Sequence, residues 1–381
     1  MDVLFLSVAA GGGHIKACEA LKEHIENRFP GSRCLVVDTL KYVNPIIDTL
    51  VIRGLYLNAV KNAPRIWGKI YDLTESRDNV HELSKSVNKL LAFKIKKLID
   101  EFKPSIIVST HTFPLQMLSS LKKKGKITIP TIAIITDFVP HPFWLYENID
   151  AYVVAHEYMH YDMVKRGIPK ETIYPYGIPV SSNFQKSGDK AAILKELGFE
   201  DKLTILLMDG SLGFGQVRNT FASLLGIKKD FQIIAVTGHN IRLKRNLERL
   251  SKNSDKKVRI FSYTDRIADL MEVSDFIITK PGGLTISESL VKELPILINS
   301  PIPGQEVRNA NFLQNSGAAL RIMDDDSLDG VLHQILDNPL TLKHMKEMAK
   351  RIARPNAAED TIALMESLVN SYERLDSSQT V

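Results

Sequence analysis
The sequence predicts an α/β protein of two doubly wound domains, each a parallel sheet with helices on both faces. Three observations carry this. First, short apolar, β-branched runs alternate with amphipathic stretches of helical length along the whole chain, the pattern of strands joined by helical crossovers. Second, the 381 residues are too many for one ordinary domain and suit two of comparable size. Third, the series of runs restarts after Pro175-Tyr176-Gly177-Ile178-Pro179, where two prolines around a glycine mark a hinge or linker. The expected domains are therefore 1–177 and 178–381, with the final helix free to pack back on the first.

The expected strands of the first domain are Val3–Val8, Cys34–Val37, Ser105–Ser109, Thr131–Ile135, Tyr152–Val154 and Thr172–Tyr174. Those of the second are Leu203–Met208, Gln232–Val236, Val258–Phe261, Phe276–Ile278, Ile296–Ile298 and Ala319–Ile322. Ligands of such sheets gather at the carboxyl ends of the strands, so a cleft between two facing sheets is the expected site. Composition narrows the class further. A hydrophobic content of 44% with 24% charged residues is that of a soluble globular chain. No run reaches the roughly 18 apolar residues of a membrane span. The apolar N-terminus lacks a basic flank and reads as a buried strand rather than a signal peptide. Cys18 and Cys34 make no metal or redox spacing and read as thiols in a reducing cytosol. The net charge of +5 is mildly basic and compatible with an anionic substrate or membrane surface. No nucleic-acid partner is expected.

After the first strand come Gly11-Gly12-Gly13-His14. A dinucleotide fingerprint would need a third glycine at position 16, which is Lys16, so a redox enzyme is disfavoured. His14 instead stands on a helix N-terminus. There the dipole keeps its ring neutral and fit to act as a general base. Asp137 ends the fourth strand in Thr136-Asp137 and could orient His14, bind an acceptor hydroxyl or cap the next turn. Ser109-Thr110-His111 ends the third strand and could line the same cleft, and His141 and Trp144 read as a loop at its rim. Between the second and third strands lies a segment, 41–103, too long for a simple crossover. Ile46, Ile47, Leu50, Val51, Leu55 and Tyr56 recur there at helical spacing, followed by Arg65 and Trp67 and a run of lysines. That mixture suits either an interfacial membrane face or ordinary helices packed on the sheet.

The second domain carries the most informative stretch, Lys280-Pro281-Gly282-Gly283-Leu284-Thr285-Ile286-Ser287-Glu288, between a strand and a helix. Glycine lets a backbone approach a ligand, and the free N–H groups of a first helical turn attract an anion. Glu288, further along the helix, suits two vicinal hydroxyls such as those of a ribose. The stretch reads as a nucleotide diphosphate seat with a ribose clamp. Other strand ends on the same edge carry Met208-Asp209-Gly210-Ser211, Thr237-Gly238-His239, Tyr263 and Pro303-Gly304-Gln305-Glu306. Gly210 is placed to approach the diphosphate, the backbone near Tyr263 to hold a base edge, and Gln305 and Glu306 to bind sugar hydroxyls. Asp324-Asp325-Asp326 reads as a helix cap rather than a metal site.

Gly11-Gly12-Gly13-His14, Thr136-Asp137, Lys280–Glu288 and Pro303–Glu306 together resemble, in order and over about 360 residues, the diacylglycerol glycosyltransferases. These are inverting enzymes of two Rossmann-like domains (GT-B type) that include processive diacylglycerol glucosyltransferases and monogalactosyldiacylglycerol synthases. The resemblance implies a donor, UDP-glucose or UDP-galactose, seated on the second domain. Its contacts would come from Gly13, Gly210, Gly238, Tyr263, Lys280, Pro281, Gly282, Gly283, Thr285, Glu288, Gly304, Gln305 and Glu306. It implies diacylglycerol as acceptor, deprotonated by His14 with support from Asp137, and an acceptor or membrane face including Arg65, Trp67, His141 and Trp144. A peripheral location on the cytoplasmic face of the cell membrane follows, with inversion and no metal or other cofactor. Asp209-Gly210-Ser211 departs from the more glycine-rich loop of the plant enzymes. Two alternatives share the architecture: a lipid-linked sugar transferase of peptidoglycan synthesis, and a soluble UDP-sugar epimerase or hydrolase. The 41–103 segment speaks against the first.

Overall fold
The computed structural model describes residues 1–9, 12–44, 85–210, 216–323 and 328–379, with backbone alone at 85–91 and 375–379. By its internal contacts the chain divides into two units, Met1–Ser182 with Arg354–Val381, and Asn183–Ala353.

The first unit is built on a six-stranded sheet in the order β2-β1-β3-β4-β5-β6. The strands are β1 (Asp2–Ser7), β2 (Arg33–Asp38), β3 (Ile106–Ser109), β4 (Thr131–Ile134), β5 (Ala151–Val153) and β6 (Ile173–Tyr174). The second unit's sheet runs β12-β11-β10-β7-β8-β9, from β7 (Thr204–Met208), β8 (Gln232–Val236), β9 (Val258–Phe261), β10 (Phe276–Thr279), β11 (Ile296–Ile298) and β12 (Ala319–Arg321). Every pairing in both sheets is parallel. Each sequence-derived run is a strand, shifted by at most one residue at either end. The reason is physical: a parallel strand buried on both faces must be apolar throughout, and its run stands out against polar loops. β3, β4, β7 and β8 are buried at every residue.

Helices cover the faces. They are α1 (Gly13–Arg28), α2 (Thr39–Val43), α3 (Lys85–Phe102), α4 (Thr112–Lys123) and α5 (Glu157–Lys165) in the first unit, joined by α14 (Ala357–Gln379). The second unit has α6 (Lys190–Leu197), α7 (Val217–Gly226), α8 (Ile241–Ser251), α9 (Ile267–Glu272), α10 (Gly283–Val291), α11 (Gln305–Asn315), α12 (Leu328–Leu336) and α13 (Pro339–Ile352). Two clusters fill the first unit. One is covered by α3 and α4 through Ile95, Ile99, Met117 and Leu118. The other packs Val3, Phe5 and Val108 beneath α1 and against Ala358, Ile362, Leu364 and Met365 of α14. The last helix thus supplies core to the sheet built from the first residues. Polar ties reinforce it: Arg354 pairs with Glu157, Arg28 with Glu366 and His24 with Glu359. The second unit's core includes Ile205, Phe221, Phe231, Ile233, Phe276, Ile278 and Leu297.

The passage between units lies later than the proline–glycine signal. The Gly177 N–H donates to the Val154 carbonyl at 2.9 Å, and Ile178 and Val180 are buried within the first unit. Gly177 has φ +100, and a Cβ there would lie 2.4 Å from Arg354 Cβ. The glycine is needed for a left-handed turn against the returning chain, so this stretch is packed structure rather than loose linker. Of the segment expected as a membrane face, residues 45–84, with Arg65 and Trp67, lie outside the described residues, while its end forms α3, which packs Ile95 and Ile99 on the sheet. None of the described helices is long and apolar enough to cross a membrane.

Candidate functional site
In each sheet the chain winds outward one way from a central strand and then returns to its other side. The turning point lies between β1 and β3 in the first unit and between β7 and β10 in the second. Loops at such a point diverge and leave a crevice at the carboxyl ends of the strands.

At the first switch point, Gly12 holds φ +86 as the N-cap of α1. This left-handed turn carries the chain from β1 into the helix and sets His14 as its second residue. From the neighbouring β3, Thr110 Oγ1 donates to the His14 carbonyl at 3.0 Å and also stands 2.8 Å from Ser7 Oγ and 3.2 Å from Cys18 Sγ. From β4, Thr136 Oγ1 stands 2.6 Å from His14 Nδ1. A hydroxyl can donate or accept and so suits either tautomer of the ring. Burial drives the His14 pKa down to about 4, opposed by the Thr110 backbone, which leaves a neutral imidazole at physiological pH. The His111 ring meets His14 edge-on, centroids 4.9 Å apart. Its own pKa lies well below the ordinary value, through burial first and His14 second. His111 is the N-cap of α4, its Nδ1 accepting from Phe113 N–H at 3.1 Å, which places its own proton on Nε2. Asp137 follows Thr136 and is half-buried. Thr110 and Thr136 stand at strand ends expected at the cleft, but only the strand order shows that they hold His14.

His141 and Trp144, expected in a loop at the cleft rim, are buried in the first unit. They are 4% and 3% exposed, and His141 caps a short helix through the Phe143 N–H. Their apolar and aromatic neighbours read equally as rim or core in one dimension, and here the fold takes them inside.

At the second switch point, the turn Lys280-Pro281-Gly282 leads from β10 into α10. Gly282 is the N-cap, no side chain caps the helix, and its first turn holds no acidic residue. Among the described residues a Cβ on Gly282 would meet nothing within 4 Å. The positive end of α10 is therefore open on the side of the described residues, as an anion seat requires. Thr285 and Glu288 are three residues apart on the same helix and both half-buried, so they share a face. The buried Asn309 donates to the Pro281 carbonyl at 3.1 Å and fixes α11 to this turn. Gly304, at φ +98 and ψ −120, is the N-cap of α11 and sets Gln305 and Glu306 in its first turn. Glu306 Oε2 accepts from the Ile302 N–H at 2.7 Å, and burial raises its pKa. From the adjacent β7, Asp209 reaches Lys280 Nζ at 3.7 Å, and burial pushes its pKa up to about 8. Gly210 takes φ +66 and Gly238 φ +57 in the turns after β7 and β8. Past β9, Tyr263 is 40% exposed and stacks on His239 at 4.5 Å, giving a flat aromatic surface at the same edge. The second unit so gathers Gly210, Lys280, Pro281, Gly282, Gly283, Gln305 and Glu306 on one edge. Asp209 and Asn309 join them, legible only once β7, β10 and α11 are known to be neighbours. Gly13 lies in the first unit, as the first residue of α1. Among the described residues no cluster of three or more histidine, cysteine or acidic side chains is placed to hold a metal ion. Asp324–Asp326 lie outside them.

Comparison with known proteins agrees with these assignments of fold. Residues 14–180 match the family model of monogalactosyldiacylglycerol (MGDG) synthase, and residues 204–361 that of the glycosyltransferase family 28 C-terminal domain. A processive diacylglycerol beta-glucosyltransferase of Bacillus mycoides is 30% identical over 366 residues, covering 93% of this chain and 91% of its own. One from Bacillus cereus is 29% identical over 371 residues, covering 94% and 92%. Solved structures share the fold at low identity. Acinetobacter baumannii MurG has a TM-score of 0.62 at 16% identity, covering 96% of this chain and 99% of its own. The glycotransferase of kitacinnamycin has 0.65 at 13%, covering 97% and 99%. S. aureus MnaA, solved with UDP, has 0.63 at 12%, covering 97% of each.

Proposed function
Since the chain belongs to the diacylglycerol glycosyltransferase family, we propose that it moves one hexose at a time from UDP-glucose or UDP-galactose to the hydroxyl of diacylglycerol, with inversion. The family makes glycolipid from a sugar donor; the sugar, the stereochemistry and the residue roles are the proposal. The observation that carries it is the pairing of chemistries at the two switch points, a neutral, half-buried histidine in one unit and an uncapped helix N-terminus in the other.

In this reading His14 takes the proton of the acceptor hydroxyl as that oxygen attacks the anomeric carbon. Thr136 and Thr110 hold its ring and backbone, and Asp137 supports the acceptor side. The N–H groups of α10 and Lys280 receive the charge that develops on the departing UDP. A helix terminus and a lysine can do this without a divalent metal, so none is required. Glu288 clamps the ribose, Tyr263 and the Gly238 turn face the base, and Gln305 and Glu306 read the hexose hydroxyls. Gly13, beside His14, and Gly210 approach the donor through their backbones. The enzyme works as a peripheral protein on the cytoplasmic face of an anionic membrane, with Arg65 and Trp67 in the contact.

The test is transfer of label from radioactive UDP-glucose or UDP-galactose into the organic phase, with diacylglycerol in anionic vesicles and EDTA present. Label that disappears in His14→Ala supports the reading, and the better donor names the sugar. Label entering no lipid, with donor still bound, would reject diacylglycerol as acceptor and favour an epimerase, hydrolase or peptidoglycan-precursor transferase of the same fold.

A further inference from the structure
Asp209 follows β7 directly, with its carboxyl group inside the second unit. It is 6% exposed, and among the described residues its Oδ1 has no hydrogen-bond partner at ordinary distance. Lys280 Nζ stands 3.7 Å from that oxygen, and Lys280 opposes the rise in pKa that burial causes. β7 and β10 pair with Leu207 opposite Ile278, so the residues just beyond them converge at the switch point. Lys280 opens the same turn that ends at Gly282, where the α10 N-terminus is open on the side of the described residues. The second acid acting on Asp209 is Glu306, from the first turn of α11. A buried acid and a half-buried one thus share one lysine at the place where the proposed donor brings its diphosphate.

The charges decide what this cluster does. Two ionised carboxylates and a diphosphate would place four negative charges around one lysine and a helix terminus. In a water-poor site each such neighbour costs far more than it would in bulk solvent. A protonated acid removes one repulsion, leaves Lys280 its full charge for the phosphate, and turns an acceptor into a donor. The free protein leans this way already, because burial lifts the Asp209 pKa to about 8.

We propose that the donor diphosphate binds together with a proton held on Asp209, so that donor affinity is lost as Asp209 ionises. This rests on the reading that a UDP-hexose occupies the α10 N-terminus. The proton comes from solvent, and no bond of the donor is made or broken. The sign follows from linkage. An added anion raises the Asp209 pKa further, so binding is strongest below the free-state value and weakens as pH rises through it. Affinity falls about tenfold between pH 7 and pH 9.

The experiment is titration calorimetry of the full chain with UDP-glucose and with UDP-galactose, whose diphosphate diester does not titrate near neutrality. It is run at pH 8 in two buffers of different ionisation enthalpy. The expected result is a buffer-dependent enthalpy reporting uptake of about half a proton, abolished in Asp209→Asn together with the pH dependence of affinity. Binding without buffer dependence overturns the proposal and leaves the donor seat standing. Uptake that persists in Asp209→Asn also overturns it, since another group then carries the proton. If neither donor binds, the reading of the seat fails and takes the proposal with it.

Discussion

A single histidine illustrates how local structure sets chemistry. His14 owes its place to a left-handed glycine before it and its neutrality to burial, not to a charged partner. Its basic form persists above a pKa of about 4 and is lost as pH falls through that value. The acid limb of kcat/KM is therefore expected well below the ordinary histidine range, and a limb near 6.5 would show that burial does not govern the ring. Replacing it by alanine is expected to lower turnover by about 10²–10⁴-fold while UDP-hexose binding, read by calorimetry, is retained. The glycines and His14 were legible in the sequence because they break the apolar pattern at a strand end. Thr110, Thr136 and Asp209 could be placed at strand ends, but their contacts could not be read, because these cross between strands far apart in the chain. A threonine in a β-rich segment ordinarily signals only a strand.

At the scale of elements, α10 is the part whose role can be separated from stability. Gly282 has φ −72 and ψ 137, backbone that any residue adopts, and no described residue lies within 4 Å of where a Cβ would stand. Gly282→Val is expected to lower stability by only about 1 kcal/mol, the loss of a favourable N-cap glycine, so the fold persists. The substitution fills the volume in front of the helix, and donor affinity measured by calorimetry falls at least about tenfold. Unchanged affinity would place the diphosphate elsewhere. The strands of this scaffold could be read almost residue by residue, since buried parallel strands are apolar runs and nothing else in the chain resembles them. Helix faces and caps were less legible. His111, His141 and His156 each accept a backbone N–H at a helix start, a role usually taken by shorter polar residues. Loop histidines near a site invite a catalytic reading that this capping role accounts for in part.

For the whole molecule, the two units differ in how the chain supplies them. The second is contiguous, Asn183–Ala353, whereas the first needs both ends of the chain. Hydrophobic pattern does not reveal this, since an amphipathic helix does not say which sheet it will cover. A fragment of residues 183–353 is expected to unfold cooperatively on its own. A fragment of residues 1–182 lacks Ala358, Ile362 and Met365 from its core and is expected to show no cooperative transition until a peptide of residues 354–381 is added. Thermal melts followed by near-UV circular dichroism would decide it, and an independently cooperative 1–182 would refute it.

The returning helix also orders events during synthesis. The strands of the first sheet cannot close their core until α14 leaves the ribosome, while residues 183–353, made before it, can fold as soon as they emerge. The nascent protein therefore carries a finished second unit and an unsealed first one for much of translation. His14 heads the helix that α14 packs beside, so the emergence of α14, rather than the appearance of the histidine, marks the moment at which the core beneath α1 is sealed. A stop codon just before α14 would leave that core open, though His14 itself had been made long before.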